Sequence, residues 1–241
     1  MTKPKKEVAD WRAGLVAAAK KTVETEKTGG TYISLKGGRM SMNDELLAGD
    51  KLDAIVLATI HERTLYERPY DPDDDGPPDC FAQGVNLQDL SPHSNVPSPV
   101  SSMCKGCPKA EFGTARQGKG PACKTHRKLA LISVATEDFS APEIATMRIP
   151  PTSVKNFSRY AAKVAGSTGL PPWAVETEVS VKPDSRTQFQ VNFDSIKPVV
   201  GDEKLSQLFS LIEEAENMLM RPYEYDNEKK DSLEGTEGYA G

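Results

Sequence analysis

The stretch KLALISVATEDFSAPEIATMRIPPTSVKNFSRYAAKVAG, residues 128–166, decides how the chain folds. Its first part, KLALISVATED, has the apolar pattern of a strand, and PEIATMRI is a second strand stopped by Pro150 and Pro151. In TSVKNFSRYAAKVAG the period changes. Val154, Phe157, Ala161 and Val164 share one helical face, Thr152 or Ser153 is placed to cap the start, and Gly166 to end the helix. Downstream, WAVETEVSVKPD returns to period two, with Val175, Thr177, Val179 and Val181 on one side and Glu176, Glu178 and Ser180 on the other. TQFQVNFDSI alternates as well, around Phe189, Val191 and Phe193. Upstream, KLDAIVLATIHERTLYE (51–67) is apolar almost continuously at first and alternates later, a strong strand pattern.

The order is strand, long insertion, strand, strand, helix, strand, strand. Five strands with a helix between the third and fourth is the order of an OB-fold barrel. The predicted class is therefore mainly β with helices (α+β), a five-stranded barrel over 51–199 with an insertion at 80–123 joining its first two strands. Around it, 1–50 reads as a helix (Glu7 to Lys27, with Val8, Trp11, Leu15 and Ala18 at helical spacing) followed by a strand pair, TYISLKGGRMSM, turned at Gly37-Gly38. Residues 200–220 read as a helix carrying Leu205, Leu208, Ile212 and Leu219, and 221–241 as a disordered acidic tail with no apolar period. RPYDPDDDGPPD is too rich in Pro and Asp for regular structure, and the chain from Cys80 to Cys123 reads as loop.

Composition bounds the function. The 241 residues carry a formal net charge of -5, 37% hydrophobic residues and a mean hydropathy of -0.51. An acidic total argues against a simple polycation, while local charge still decides any nucleic-acid grip. No apolar run approaches the roughly 18–20 residues that span a bilayer. The start, MTKPKKEVADW, is basic but lacks an apolar signal core, so the expected location is intracellular, with no membrane partner.

In a reducing compartment the four cysteines point to metal more than to disulfides. Cys104 and Cys107 form a C-x2-C turn, Cys123 follows x15 later, and Cys80 lies x23 upstream. Four soft ligands at such spacing predict one structural, tetrahedral zinc per chain, with His93 or His126 as the alternative to Cys80. His61 falls within a strand and reads as an ordinary surface or core histidine. GTARQGKG (113–120) approaches a phosphate-binding loop, but Gly120 stands where a magnesium-holding Ser or Thr belongs. Asp71, Asp73 and Asp75 approach a calcium loop, but Ala82 stands where the bidentate Glu belongs. No catalytic grouping is assignable from the three histidines, and the predicted protein is not an enzyme.

Between Met103 and Lys128, Lys105, Lys109, Arg116, Lys119, Lys124, Arg127 and Lys128 face Glu111 alone. Such a cluster can neutralise phosphates, and Phe112 inside it can stack on a base or pack on the knuckle. The nucleic-acid-binding set is Phe112, Arg116, Lys119, Lys124, Arg127 and Lys128. Phe157, Phe189 and Phe193 read as core.

The knuckle CKGCP, the following GKGPACKTHRKLALI and the segment RIPPTSVKNFSRYAAKV together resemble phage-type single-stranded-DNA-binding proteins with a cysteine module inserted into an OB-fold. The likeness runs from about Lys51 to Met218. It implies a sequence-independent protein that coats and protects unwound DNA in replication or recombination. It also implies an acidic tail that recruits replication or recombination proteins and competes with DNA. A zinc-stabilised regulator or adaptor that binds duplex DNA or protein is the alternative, through a helix carrying Lys155, Asn156, Arg159 and Lys163. A metal-dependent nuclease is a third class, without an assignable carboxylate–histidine set.

Overall fold

A computed structural model describes residues 30–69, 76–136 and 139–225. The helix expected over Glu7–Lys27, the Asp-rich turn at 71–75 and the acidic tail from residue 226 lie outside the described residues. The unit that begins at Tyr32 is described by itself.

The described residues form one mixed α+β body around a sheet that curls into a half-barrel. Its strands are β1 (Tyr32–Ser34), β2 (Ser41–Met42), β3 (Glu45–Leu46), β4 (Lys51–Leu65), β5 (Cys80–Gly84), β6 (Lys124–Ser133), β7 (Ala145–Ile149), β8 (Val175–Asp184) and β9 (Gln188–Pro198). They run in the order β3-β2-β1-β7-β6-β4-β8-β9, with β5 also paired to β4. The pairings are antiparallel apart from β1 with β7, which is parallel. The strand pair expected within the first 50 residues is present, and the β1–β7 pairing makes it an extension of the central sheet.

β4 organises the sheet. Along one edge it pairs with β6 from Ala54 to Thr64; on the other, β8 takes Lys51–Ile55 and β5 takes His61–Leu65. Its register to β6 shifts between Val56 and Ala58. Such a bulge inserts one residue and reverses which parity faces which side. Ala54 and Val56 therefore join one apolar cluster, and Ile55, Leu57, Ala58 and Ile60 join the other. After the bulge, Thr59, His61 and Arg63 point to the first side, and Glu62 and Thr64 to the second. The unbroken apolar run AIVLA is the signature of a segment covered on both faces.

Helix α1 (Val154–Thr168) covers the first face with Phe157, Tyr160 and Val164, which meet Val179, Val191 and Phe193. Phe157 stands edge-on to Phe193 at 5.1 Å between ring centroids. Helices α2 (Asp202–Ser210) and α3 (Ile212–Leu219) cover the second face with Leu208, Ala215 and Leu219. The single helix expected there is broken at Leu211. None of these helices is long and apolar enough to cross a membrane.

Local differences from expectation have identifiable causes. α1 passes through Gly166 and ends at Gly169, whose N–H still bonds the Ala165 carbonyl and whose left-handed φ of 69° turns the chain out of the helix. Ser153 is buried, but its hydroxyl does not cap α1; Oγ accepts a 2.9 Å hydrogen bond from the Val191 amide of β9. The segment after Cys80, expected as loop, is strand β5, because Phe81 and Ala82 are buried against β4 and its neighbours. Ser153→Ala removes the hydroxyl that accepts from this strand amide. It should lower unfolding stability by about 1–3 kcal/mol, seen as a lower urea midpoint with an unchanged slope.

Candidate nucleic-acid interface and cysteine site

The insertion folds back on the end of β4. Cys104 to Cys107 is a tight turn in which the Cys107 amide meets the Cys104 carbonyl at 3.4 Å and Gly106 takes a positive φ of 76°. The Cys104 amide bonds the Leu90 carbonyl, and the Cys123 amide bonds the Lys109 carbonyl. Arg63, projecting from β4, donates from Nη1 to the Cys104 carbonyl at 2.7 Å. Cys80 opens β5 opposite Leu65. All four cysteines consequently line one small pocket, together with Arg63 and Leu65, and all four are free thiols. Neither His93 nor His126 lines it. His93 stacks on Phe81 and accepts from the Asn95 amide.

Burial pushes the Cys123 thiol up to about 12 and the Cys104 thiol up to about 11, and raises Cys80. The neighbouring cysteines add to each rise, as expected of thiols gathered at one point. Among the described residues, no three His, Cys, Asp or Glu side chains stand in a ready-made metal cage. The thiols are gathered without being set in ligand geometry.

Beside the knuckle, an open cleft of about 620 Å³ runs between the chain leaving β4 and the turn at 113–122. Arg116 and Lys124 line it. Sequence reasoning missed Tyr66 and Arg68, which line it as well, and counted Lys109 in the basic cluster without placing it in the binding set. The turn is braced by Gly113 N–H to the Lys119 carbonyl, Ala115 N–H to the Gly120 carbonyl, and Ala122 N–H to the Thr114 hydroxyl. A Cβ at Gly120 would sit 3.3 Å from the Lys124 ammonium, so glycine leaves that ammonium room. Lys109 pairs with Glu67 at 2.8 Å and, with Arg116 behind it, holds the Glu67 carboxyl below the usual range. Lys119 and Phe112 are exposed on the same loop but do not line the cleft; Phe112 is 86% exposed.

The structure does not bring the six expected residues to one surface. Arg127 and Lys128 are adjacent in a strand and so face opposite sides. Arg127 lies on the α1 side, its guanidinium 4.9 Å from the Phe157 ring centroid and bonded to Thr59. Lys128 lies on the α3 side, donating to the Leu219 carbonyl at 2.7 Å, with its ammonium 3.8 Å from Glu62. Burial lowers the pKa of both. In the helix weighed for duplex reading, Asn156 is committed to the Val191 carbonyl and the Gln190 side chain, and accepts from Arg159.

Glu62 is fully buried at the centre of a polar network. Arg148 Nε approaches its Oε2 at 2.7 Å, an ion pair without good hydrogen-bond angles, while Gln83 and Tyr223 donate to Oε1 at 3.0 and 3.2 Å. Within residues 221–225, expected as the start of a disordered tail, Tyr223 and Tyr225 pack against the body. Tyr223 meets the Phe81 ring edge-on, and Tyr225 donates to the Pro78 carbonyl at 2.6 Å. Burial, then Glu62, holds the Tyr223 phenol well above its usual range.

In comparisons with known proteins, the chain matches no family model, no curated protein and no solved structure.

Burial, with Arg148 and Lys124 nearby, pushes His126 down to about 3; burial, with Arg127 and Arg63, pushes His61 down to about 4. Both stay neutral in the folded chain at pH values where the unfolded chain, near 6.5, protonates them. Their contribution to stability is therefore complete above 6.5 and lost as the pH falls from there toward the folded values. Urea midpoints taken from about pH 7.5 down to about pH 5 should fall, and His126→Gln should flatten that fall.

Proposed function

We propose that this chain is a non-catalytic single-stranded-DNA-binding protein built on an OB-fold, with one structural zinc in its cysteine loop. The observation that carries the reading is the basic cleft where that loop meets the end of β4 and the start of β6. The sheet supports it. β4 is central, β6 and β7 lie to one side, β8 and β9 to the other, and α1 connects β7 to β8. OB-folds bind oligonucleotides through the second and third strands and the loop between the first two, which here correspond to β6, β7 and the 66–123 segment. Four cations line the cleft (Arg68, Lys109, Arg116 and Lys124) against Glu67, a balance suited to phosphates. On this reading the protein coats unwound strands during phage-type replication or recombination, and the acidic residues after Tyr225 recruit partner proteins.

The four thiols fit zinc by chemistry. They are soft donors, free of disulfides, drawn to one pocket by strands and turns that are distant in sequence. Cys80, Cys104, Cys107 and Cys123 would hold the ion, which would cross-link β5 to the knuckle and steady the cleft's wall. Elemental analysis should find about one zinc per chain. Chelation should lower thermal stability and weaken DNA binding together. A metal-free preparation that folds and binds normally would remove zinc from the proposal.

Fluorescence anisotropy with labelled single-stranded, duplex and RNA oligomers tests the binding itself. Single strands should bind tightest, with little dependence on base sequence. Arg116→Ala combined with Lys124→Ala should weaken binding about equally across sequences. It should flatten the salt dependence by roughly 0.7 for each phosphate that the variant no longer neutralises. Lys119→Ala should do less. Truncation after Tyr225, which spares the packed tyrosines, should tighten binding by removing a negative competitor. A preference for duplex would favour the regulator reading.

A further inference from the structure

The cleft contains more than charge. Tyr66 follows the last residue of β4, lines the cleft and is 41% exposed. The Arg68 guanidinium lies 5.5 Å from the Tyr66 ring centroid, and its Nη2 is anchored on the Gly76 and Pro77 carbonyls at 2.9 Å each. The ring thus carries a fixed cation over one face. Arg116 lines the cleft from a turn held by its own backbone bonds, and Lys124 from the first position of β6. The volume, about 620 Å³, falls within the range of small-ligand sites. A flat aromatic ring flanked by cations matches a ligand with one flat, π-faced part and one anionic part. A nucleobase joined to a phosphate has that form.

We propose that this cleft holds one nucleotide unit of a single strand. Tyr66 is the platform on which its base stacks, Arg68 fixes the ring and meets the phosphate on one side, and Arg116 and Lys124 meet it on the other. The assignment rests on the single-strand reading above and adds to it a discrete base subsite at Tyr66. Base stacking on an aromatic side chain contributes to affinity whatever the base, because every base has a π-face. Phosphate contacts act without any base at all. These two contributions separate experimentally.

The test compares a labelled oligothymidylate with an abasic oligomer of equal length, which keeps the phosphates and lacks the bases. Tyr66→Leu should weaken oligothymidylate binding on the order of five- to tenfold, and leave abasic binding unchanged. Tyr66→Phe should bind both as the native protein does. Arg116→Ala with Lys124→Ala should weaken both. Unchanged thermal midpoints would show that the variants fold. If Tyr66→Leu keeps native affinity, or loses equally on the two oligomers, Tyr66 is no stacking platform and the proposal falls while the single-strand reading stands. If dTMP alone competes as well as the oligomer, the cleft is a free-nucleotide pocket and the strand assignment is overturned. If the native protein binds no single strand, both readings fall together.

Discussion

The bulge at Leu57 in β4 is the constraint on which the remaining arrangement depends. β4 is fifteen residues long and is covered on both faces, so its side-chain parity must suit two cores at once. Without the extra residue, Glu62 would share a side with Ala54 and Val56, and its carboxylate would point into the apolar cluster beneath α1. With it, Glu62 turns to the other side and finds Arg148, Gln83, Tyr223 and, further off, Lys128. A fully buried carboxylate survives only with such partners. The same shift sends Arg63 toward the cysteine loop, where it holds the Cys104 carbonyl. One inserted residue thereby sets the polar network on one side and the anchorage of the knuckle on the other.

The candidate site forms where β4 runs past β8. Over its last five residues β5 replaces β8 as its partner, and the cysteine loop closes over that end. The loop has little apolar core of its own: Ala82, Leu90 and Cys104, with Leu87 beside them. Its order comes from backbone hydrogen bonds and from Arg63. A tetrahedral zinc, as proposed, would supply the cross-link that such a segment otherwise lacks.

Strand alternation also divides the positive charge. Seven cations crowd one stretch of sequence, but only Lys109, Arg116 and Lys124 of them reach the cleft. Arg127 and Lys128 are taken up by Phe157 and Thr59 on one side and by Leu219 and Glu62 on the other. The cleft gains Arg68 from outside the stretch, and with it Tyr66. The proposed interface is therefore a meeting of two loops, with the basic run supplying only one wall.

Hydrophobic periodicity, a local property, was enough to place β4, β6, β7, α1, β8 and β9 in order along the chain. It also identified Phe157, Phe189 and Phe193 as core from their helix and strand spacing; Phe157 and Phe193 are buried, and Phe189 packs partly buried against the same cluster. The C-x2-C turn was legible for the same reason, since two residues of separation bring both cysteines into one turn. What lay beyond local pattern was decided by packing. CFAQG becomes strand β5 only because the edge of β4 is free after Ile55. Ser153 binds β9 and leaves α1 uncapped because the Val191 amide would otherwise be buried without a partner. Tyr223 and Tyr225 join the body because Glu62, Phe81 and the Pro78 carbonyl, all far back in the chain, offer them contacts. Periodicity reports which residues seek burial; the partners they find are set by register, and register here turns on a single bulge.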